Sequence, residues 1–103
     1  MQQLLAGIAV DVEAARLLTW KVADHIERGL PFATESSVAK LFASEAAVRA
    51  ANNALQVFGG YGFIDEYPVG KYLRDARVMT LYEGTSQIHQ LLIGRALTGV
   101  NAF

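Results

Sequence analysis

Apolar side chains recur at Leu4, Leu5, Ile8, Val12, Ala15, Leu18, Val22 and Ile26, in steps of three and four. That spacing gathers them on one face of a 3.6-residue period and predicts one long helix over residues 2–28. Asp11, Glu13, Arg16, Asp24 and Glu27 fall largely off the stripe. The pattern starts directly after Met1 with no Ser, Thr, Asp or Asn to cap it, as expected of a chain that starts partway along a helix. Gly29 ends it, with Pro31 just beyond, because glycine accepts the left-handed turn and proline cannot continue a helix.

A second helix is predicted over residues 35–58, with Thr34 as its N-cap. Its apolar face carries Val38, Leu41, Phe42, Ala46, Val48, Ala51, Leu55 and Phe58. Alanines at 39, 43, 46, 47, 50, 51 and 54 favour helix and allow a neighbour to approach closely. Gly59-Gly60-Tyr61-Gly62 then breaks the pattern. A shorter helix is expected over residues 70–79, and a break at Glu83-Gly84-Thr85-Ser86 precedes a last helix over residues 87–97. That helix carries Ile88, Leu91, Leu92 and Leu97. Val78-Met79-Thr80-Leu81-Tyr82 reads alternatively as a short strand. No repeat or low-complexity segment appears. The fold class is all-α, an antiparallel helical bundle occupying residues 1–103 as one domain.

Composition narrows the function. At 103 residues the chain suits one domain, and one of this size buries roughly 60–70% of its unfolded surface. Nine Lys and Arg balance ten Asp and Glu, so no basic footprint for nucleic acid or an anionic membrane is present. The apolar runs are too short to span a bilayer. Cysteine is absent, which excludes a disulfide scaffold, a thiolate metal site and a cysteine nucleophile. The start of the chain lacks the basic residues of a signal or transit peptide, and an intracellular, reducing compartment is the expectation.

Few residues carry candidate chemistry. The cluster Gly59-Gly60-x-Gly62 follows a predicted helix and has the wrong spacing for a dinucleotide fingerprint. The local pattern favours a helix end and tight turn, while leaving open a close backbone approach to a ligand. Glu83, just before a helix start, has two readings. It caps the helix by accepting from free backbone N–H groups, or it is a general base that an apolar pocket makes more basic. His25 and His89 lie on different helices without metal-ligand spacing, so helix-surface positions are expected and no metal site. Arg74, Asp75 and Arg77 suggest a solvated face or a structural ion pair. Trp20 and Phe42 read as core.

Four segments in order resemble the C-terminal part of the acyl-CoA dehydrogenases. They are Gln56-Val57-Phe58-Gly59-Gly60-Tyr61-Gly62-Phe63, Glu66-Tyr67-Pro68-Val69, Arg74-Asp75-Ala76-Arg77 and Tyr82-Glu83-Gly84-Thr85-Ser86-Gln87-Ile88. Upstream, Val12-Glu13-Ala14-Ala15-Arg16 and Ala39-Lys40-Leu41-Phe42-Ala43-Ser44-Glu45 extend the resemblance over nearly the whole chain. It implies the helical bundle of an FAD-dependent enzyme of the short- and medium-chain-like branch, truncated in its first helix. In that family a base removes the α-proton of an acyl-CoA thioester while the β-hydrogen leaves as hydride to the flavin.

By resemblance Glu83 is the catalytic base, its backbone N–H meets the thioester oxygen, and Gly84 gives the acyl chain room. Thr85, Ser86 and Gln87 match residues that contact FAD. Gln56, Val57, Phe58, Gly59 and Gly60 match a loop that contacts the FAD of a neighbouring subunit. Gly70 departs from the larger residue common at its place. The resemblance implies acyl-CoA as substrate, an electron-transfer flavoprotein as acceptor, a homo-oligomer, and a cytoplasmic or mitochondrial-matrix setting. The flavin-binding middle domain falls outside these residues, so the chain alone is expected to be inactive and to retain little FAD. The alternative is a non-catalytic helical oligomerisation module derived from the same family.

Overall fold

The computed structural model describes residues 1–101. Four α-helices follow in order: α1 (Gln2–Glu27), α2 (Ala33–Phe58), α3 (Val69–Val78) and α4 (Ser86–Thr98). A single 3-10 turn, Gly59–Gly62, extends α2 before the chain turns back. No strand occurs among the described residues, and Val78 to Tyr82 form the end of α3 and a turn.

The breaks fall where glycine sits. At the end of α1 the Leu30 N–H donates to His25 O at 2.8 Å and the Gly29 N–H to Ile26 O at 3.2 Å, with Gly29 at φ +69°. This is the paired C-terminal cap that a left-handed residue permits. The His25 ring then donates through Nδ1 to Pro31 O at 2.8 Å and fixes the exit of the chain.

α2 starts two residues earlier than its sequence suggested. Phe32 is the N-cap, at φ −135°, and no side chain caps the end. The Ser36 N–H already donates to Phe32 O at 2.8 Å, so Thr34 lies inside the first turn and is not the cap.

α2 is the spine. α1 lies antiparallel on it: Gly7 faces Asn53, Asp11 holds Arg49, and Leu18 lies beside Val38. Arg49 donates to Asp11 through Nε at 3.2 Å and Nη2 at 2.9 Å, and its guanidinium lies 5.6 Å from the Phe42 ring centre. The hydrogen bond to Asp11 pushes the Arg49 pKa up, against the smaller opposing effect of burial.

On a separate face of α2, α3 and α4 lie one after the other. Gly70 in the first turn of α3 lies near Gly62, Met79 just after the end of α3 reaches Lys40, and α4 runs from Glu45 back toward Ala33. The tightly buried residues are small: Ser37, Ala39, Ser44 and Ala46 on α2, Val69 and Ala76 on α3, Thr80, and Ser86 on α4. Small side chains let the helix axes come close. The cost is a core without bulk: among the described residues no side chain is fully buried, and α1 has no buried residue at all.

Trp20 corrects the sequence expectation. It is 60% exposed instead of core, because α1 packs chiefly on α2 and Trp20 points away from that contact. Phe42 is only half-buried.

Candidate active site at the junction of α3 and α4

The chain between α3 and α4 is folded by its own backbone and by α2. The Leu81 N–H donates to Val78 O at 2.9 Å, and the Ser86 N–H reaches back to Thr80 O at 3.1 Å, closing the loop. Thr80 is buried; its hydroxyl donates to Arg77 O at 2.9 Å, and the Arg77 guanidinium donates to that same hydroxyl. Arg77 is thereby employed within the junction. Neither Arg74 nor Asp75 appears in an ion pair among the described residues, where the pairs are Arg16–Glu13, Arg28–Asp24 and Arg49–Asp11.

Two contacts tie the loop to α2. Lys40 Nζ donates to Met79 O at 2.6 Å and to Gly84 O at 2.8 Å. Ser86 Oγ donates to Glu45 Oε1 at 2.6 Å. Held this way, Glu83 adopts φ +55° and Gly84 φ +88°, two left-handed residues in succession. Glycine takes that conformation freely; glutamate takes it only at a cost that its surroundings must offset.

Glu83 is not the helix cap. Thr85 caps α4, its hydroxyl accepting from the Ile88 N–H at 3.2 Å. Among the described residues the Glu83 carboxylate accepts no hydrogen bond and joins no ion pair, and the Glu83 N–H has no acceptor. The side chain is exposed beside exposed Leu81 and Tyr82, so these residues do not themselves enclose it in an apolar pocket.

His89 also departs from expectation. It is half-buried beneath the loop, with Nε2 3.1 Å from Glu83 O and Nδ1 buried without a partner. A Cβ on Gly84 would meet His89 Nε2 at 2.8 Å, so the bare side of this glycine faces imidazole and not open space. No group of three His, Cys, Asp or Glu able to hold a metal ion occurs among the described residues.

The residues matched to flavin contacts form two groups. Thr85 and Ser86 are already employed, in the α4 cap and in the bond to Glu45, while Gln87 is exposed. The other group sits at the far end of α2. Gln56, Phe58, Gly59 and Gly60 are exposed and Val57 is half-buried. Phe58 and Tyr61 both pack against Tyr67, with ring centres 5.8 and 5.7 Å apart, which folds the glycine loop back on the helix end. A Cβ at Gly59 or Gly60 would meet nothing within 4 Å, so this surface is open to an approaching group.

Ser86 lies opposite Glu45, eleven residues before Gln56, which places the two groups roughly 16 Å apart along the helix. The groups are not brought together.

Lys40, Glu45 and His89 were missed as site residues. Lys40 and Glu45 left one signal, as charged residues on the face of α2 that also buries Ser37 and Ser44. His89 left none, because its contact depends on the left-handed turn at Glu83.

Four helices built around α2, with no strand among the described residues, form the all-helical type of domain found at the C-terminus of acyl-CoA dehydrogenases. The chain belongs to the acyl-CoA dehydrogenase family: the family model described as "Acyl-CoA dehydrogenase, C-terminal domain" matches residues 1–98. An acyl-CoA dehydrogenase of Bacillus subtilis is 50% identical over 95 residues, covering 92% of this chain and 25% of that protein. The short-chain specific acyl-CoA dehydrogenase of Megasphaera elsdenii is 42% identical over 93 residues, covering 90% and 24%.

The fold agrees. The structure of butyryl-CoA dehydrogenase from Megasphaera elsdenii superposes with a TM-score of 0.89 at 41% identity, over 93% of this chain and 25% of that one. The chain thus spans about a quarter of the length of these relatives. Family members are FAD-dependent, and one similar structure is a glutaryl-CoA dehydrogenase from Mycobacterium smegmatis in complex with FADH2. No described helix is long and apolar enough to cross a membrane.

Proposed function

We propose that this chain is the base-bearing domain of an FAD-dependent acyl-CoA dehydrogenase and that Glu83 removes the α-proton of the thioester. One observation carries the reading: Glu83 occupies a costly left-handed position, yet its carboxylate has no structural employment, since Thr85 caps α4. A strained residue with a free functional group is the arrangement expected where geometry serves chemistry.

A thioester α-proton is weakly acidic, so the base needs a desolvated setting and the forming enolate oxygen needs a hydrogen-bond donor. The free Glu83 N–H is such a donor, fixed beside the carboxylate by the same turn. The enclosure must come from outside residues 1–103. FAD, when bound, supplies the acceptor for the β-hydride. The Gln87 side chain and the open face of Gly59 and Gly60 are available to hold it, while Thr85 and Ser86 offer what their existing bonds leave free. Acyl-CoA as substrate, with Gly84 bordering the acyl chain, and an electron-transfer flavoprotein as acceptor follow from the family.

In the full-length enzyme that carries this segment, Glu83→Gln keeps the shape and deletes the base. Flavin reduction by acyl-CoA should fall by at least about a hundredfold with FAD content intact. Unchanged reduction would remove Glu83 from the role. The isolated chain should neither oxidise acyl-CoA nor hold FAD firmly, because its partial contacts do not offset the ordering cost of binding. A second reading, a non-catalytic oligomerisation module, draws on the exposed apolar residues of α1. It predicts native-like assembly of the full-length protein together with full indifference to Glu83→Gln.

A further inference from the structure

The two carbonyls that follow Glu83 and Gly84 are each held by a side chain from a different helix. Lys40, on α2, donates to Gly84 O and to Met79 O, so one ammonium joins the exit of α3 to the middle of the turn. The Met79 contact alone is what a lysine near a helix C-terminus commonly makes. The Gly84 contact is not explained by that duty, because Gly84 belongs to no helix.

His89, on α4, turns Nε2 to Glu83 O. With Nε2 as the donor, Nδ1 becomes an acceptor, and it lies buried with no partner. A buried acceptor is left unsatisfied here while the other nitrogen holds the turn. A Cβ on Gly84 would collide with the ring, so ring and turn are fitted to one another.

The Glu83 and Gly84 carbonyls lie directly after the Glu83 side chain and the Met79 carbonyl four residues before it, so together these contacts bracket the turn that carries Glu83. Releasing those peptides would let the left-handed turn at Glu83 and Gly84 relax, and with it the direction in which the Glu83 side chain is presented. We propose that Lys40 and His89 are positioning residues that brace the left-handed turn and so aim the base; this rests on the reading of Glu83 as that base. Neither touches substrate in this account. Both act through Glu83.

The test uses the full-length, FAD-loaded enzyme carrying this segment, with single-turnover flavin reduction by acyl-CoA, the acyl-CoA Kd and FAD content measured together. Lys40→Met removes the donors and keeps the stem; Lys40→Arg restores donors. His89→Leu removes the donor; His89→Gln restores one. Displacing a reacting group by about an ångström costs up to roughly a hundredfold, so Lys40→Met and His89→Leu should slow reduction by roughly ten- to a hundredfold. Kd and FAD content should stay within about twofold, and an α-deuterated substrate should show a larger isotope effect than in the parent. Lys40→Arg and His89→Gln should recover most of the rate.

Parental rates in Lys40→Met and His89→Leu, with Glu83→Gln inactive, would overturn the positioning role alone. So would a loss that follows FAD content or melting temperature equally in the conservative variants. A fully active Glu83→Gln would remove the base reading and this proposal with it. Should Lys40→Met not accumulate, His89→Leu against His89→Gln makes the same comparison.

Discussion

Gly62 and Gly60 stand two residues apart and answer to different demands. A Cβ on Gly62 would lie 2.6 Å from Leu55 O and 3.1 Å from Phe58 Cβ, in backbone and packed side chain that cannot step aside. Gly62→Ala should therefore destabilise the protein by about 1–3 kcal/mol, read from urea denaturation. A Cβ on Gly60 meets nothing, and its φ lies outside the left-handed region. Gly60→Ala should change stability by less than about 0.5 kcal/mol, yet reduce FAD retention in the full-length enzyme if a flavin lies against that face. Equal retention would show that the glycine serves only the turn.

Sequence distinguished these roles only partly. It marked the cluster and left both readings open, since the obstruction at Gly62 comes from Leu55, a residue no local pattern connects to it. The cap of α2 is misread for a related reason: Thr34 has the right chemistry before a helix, but the backbone chose Phe32. Of the two readings left open for Glu83, the capping role goes to Thr85 instead.

At the level of elements, the periodic stripes and glycine breaks located all four helices within about two residues at each end, the usual margin for helix boundaries. What they hid was the surroundings of α1. Leu4, Ile8, Leu18 and Val22 turn toward α2 and are half-buried, but Leu5 (52% exposed), Val10 (66%) and Leu17 (54%) are not. A helix apolar on more than one side keeps apolar surface that α2 alone does not cover. Periodicity reports that a stripe exists, not how many neighbours share the helix.

The packing also ranks the helices. α2 is contacted by every other element, whereas α1 has one principal neighbour and no buried residue. The Arg49–Asp11 pair, with Arg49 half-exposed, adds only about 0.2–1 kcal/mol to the α1 contact. In hydrogen exchange on the 103-residue chain, the amides of α1 should lose protection ahead of those of α2. Uniform protection across both helices would contradict this ranking.

The whole molecule is spread out for its mass. Its radius of gyration is 16.0 Å, where a compact chain of about 100 residues has roughly 13 Å. It exposes 7198 Å², against about 5,700 Å² for a compact monomer of 11.2 kDa. The excess, about 1,500 Å², is nearly twice the roughly 800 Å² that each partner buries in a standard protein–protein interface. Layers of helix one deep on either side of α2 produce both figures. We expect the isolated chain to self-associate, with a sedimentation mass that is a multiple of 11.2 kDa at micromolar concentration. A clean monomer would count against it. Leu4 and Ile8 turn toward α2, and Leu5, Val12 and Ile26 form the more exposed flank.

Because α2 is one unbroken helix from Ala33 to Phe58, it also acts as a ruler. Lys40 grips the turn that carries Glu83, and Gln56 opens the glycine loop sixteen residues further on, about 24 Å away along the rod. Inserting a single residue between them would lengthen that gap by only about 1.5 Å but would rotate the loop by about 100° around the axis. The spacing between the two ends is therefore fixed in whole residues, and related chains of altered length should carry their insertions outside this interval.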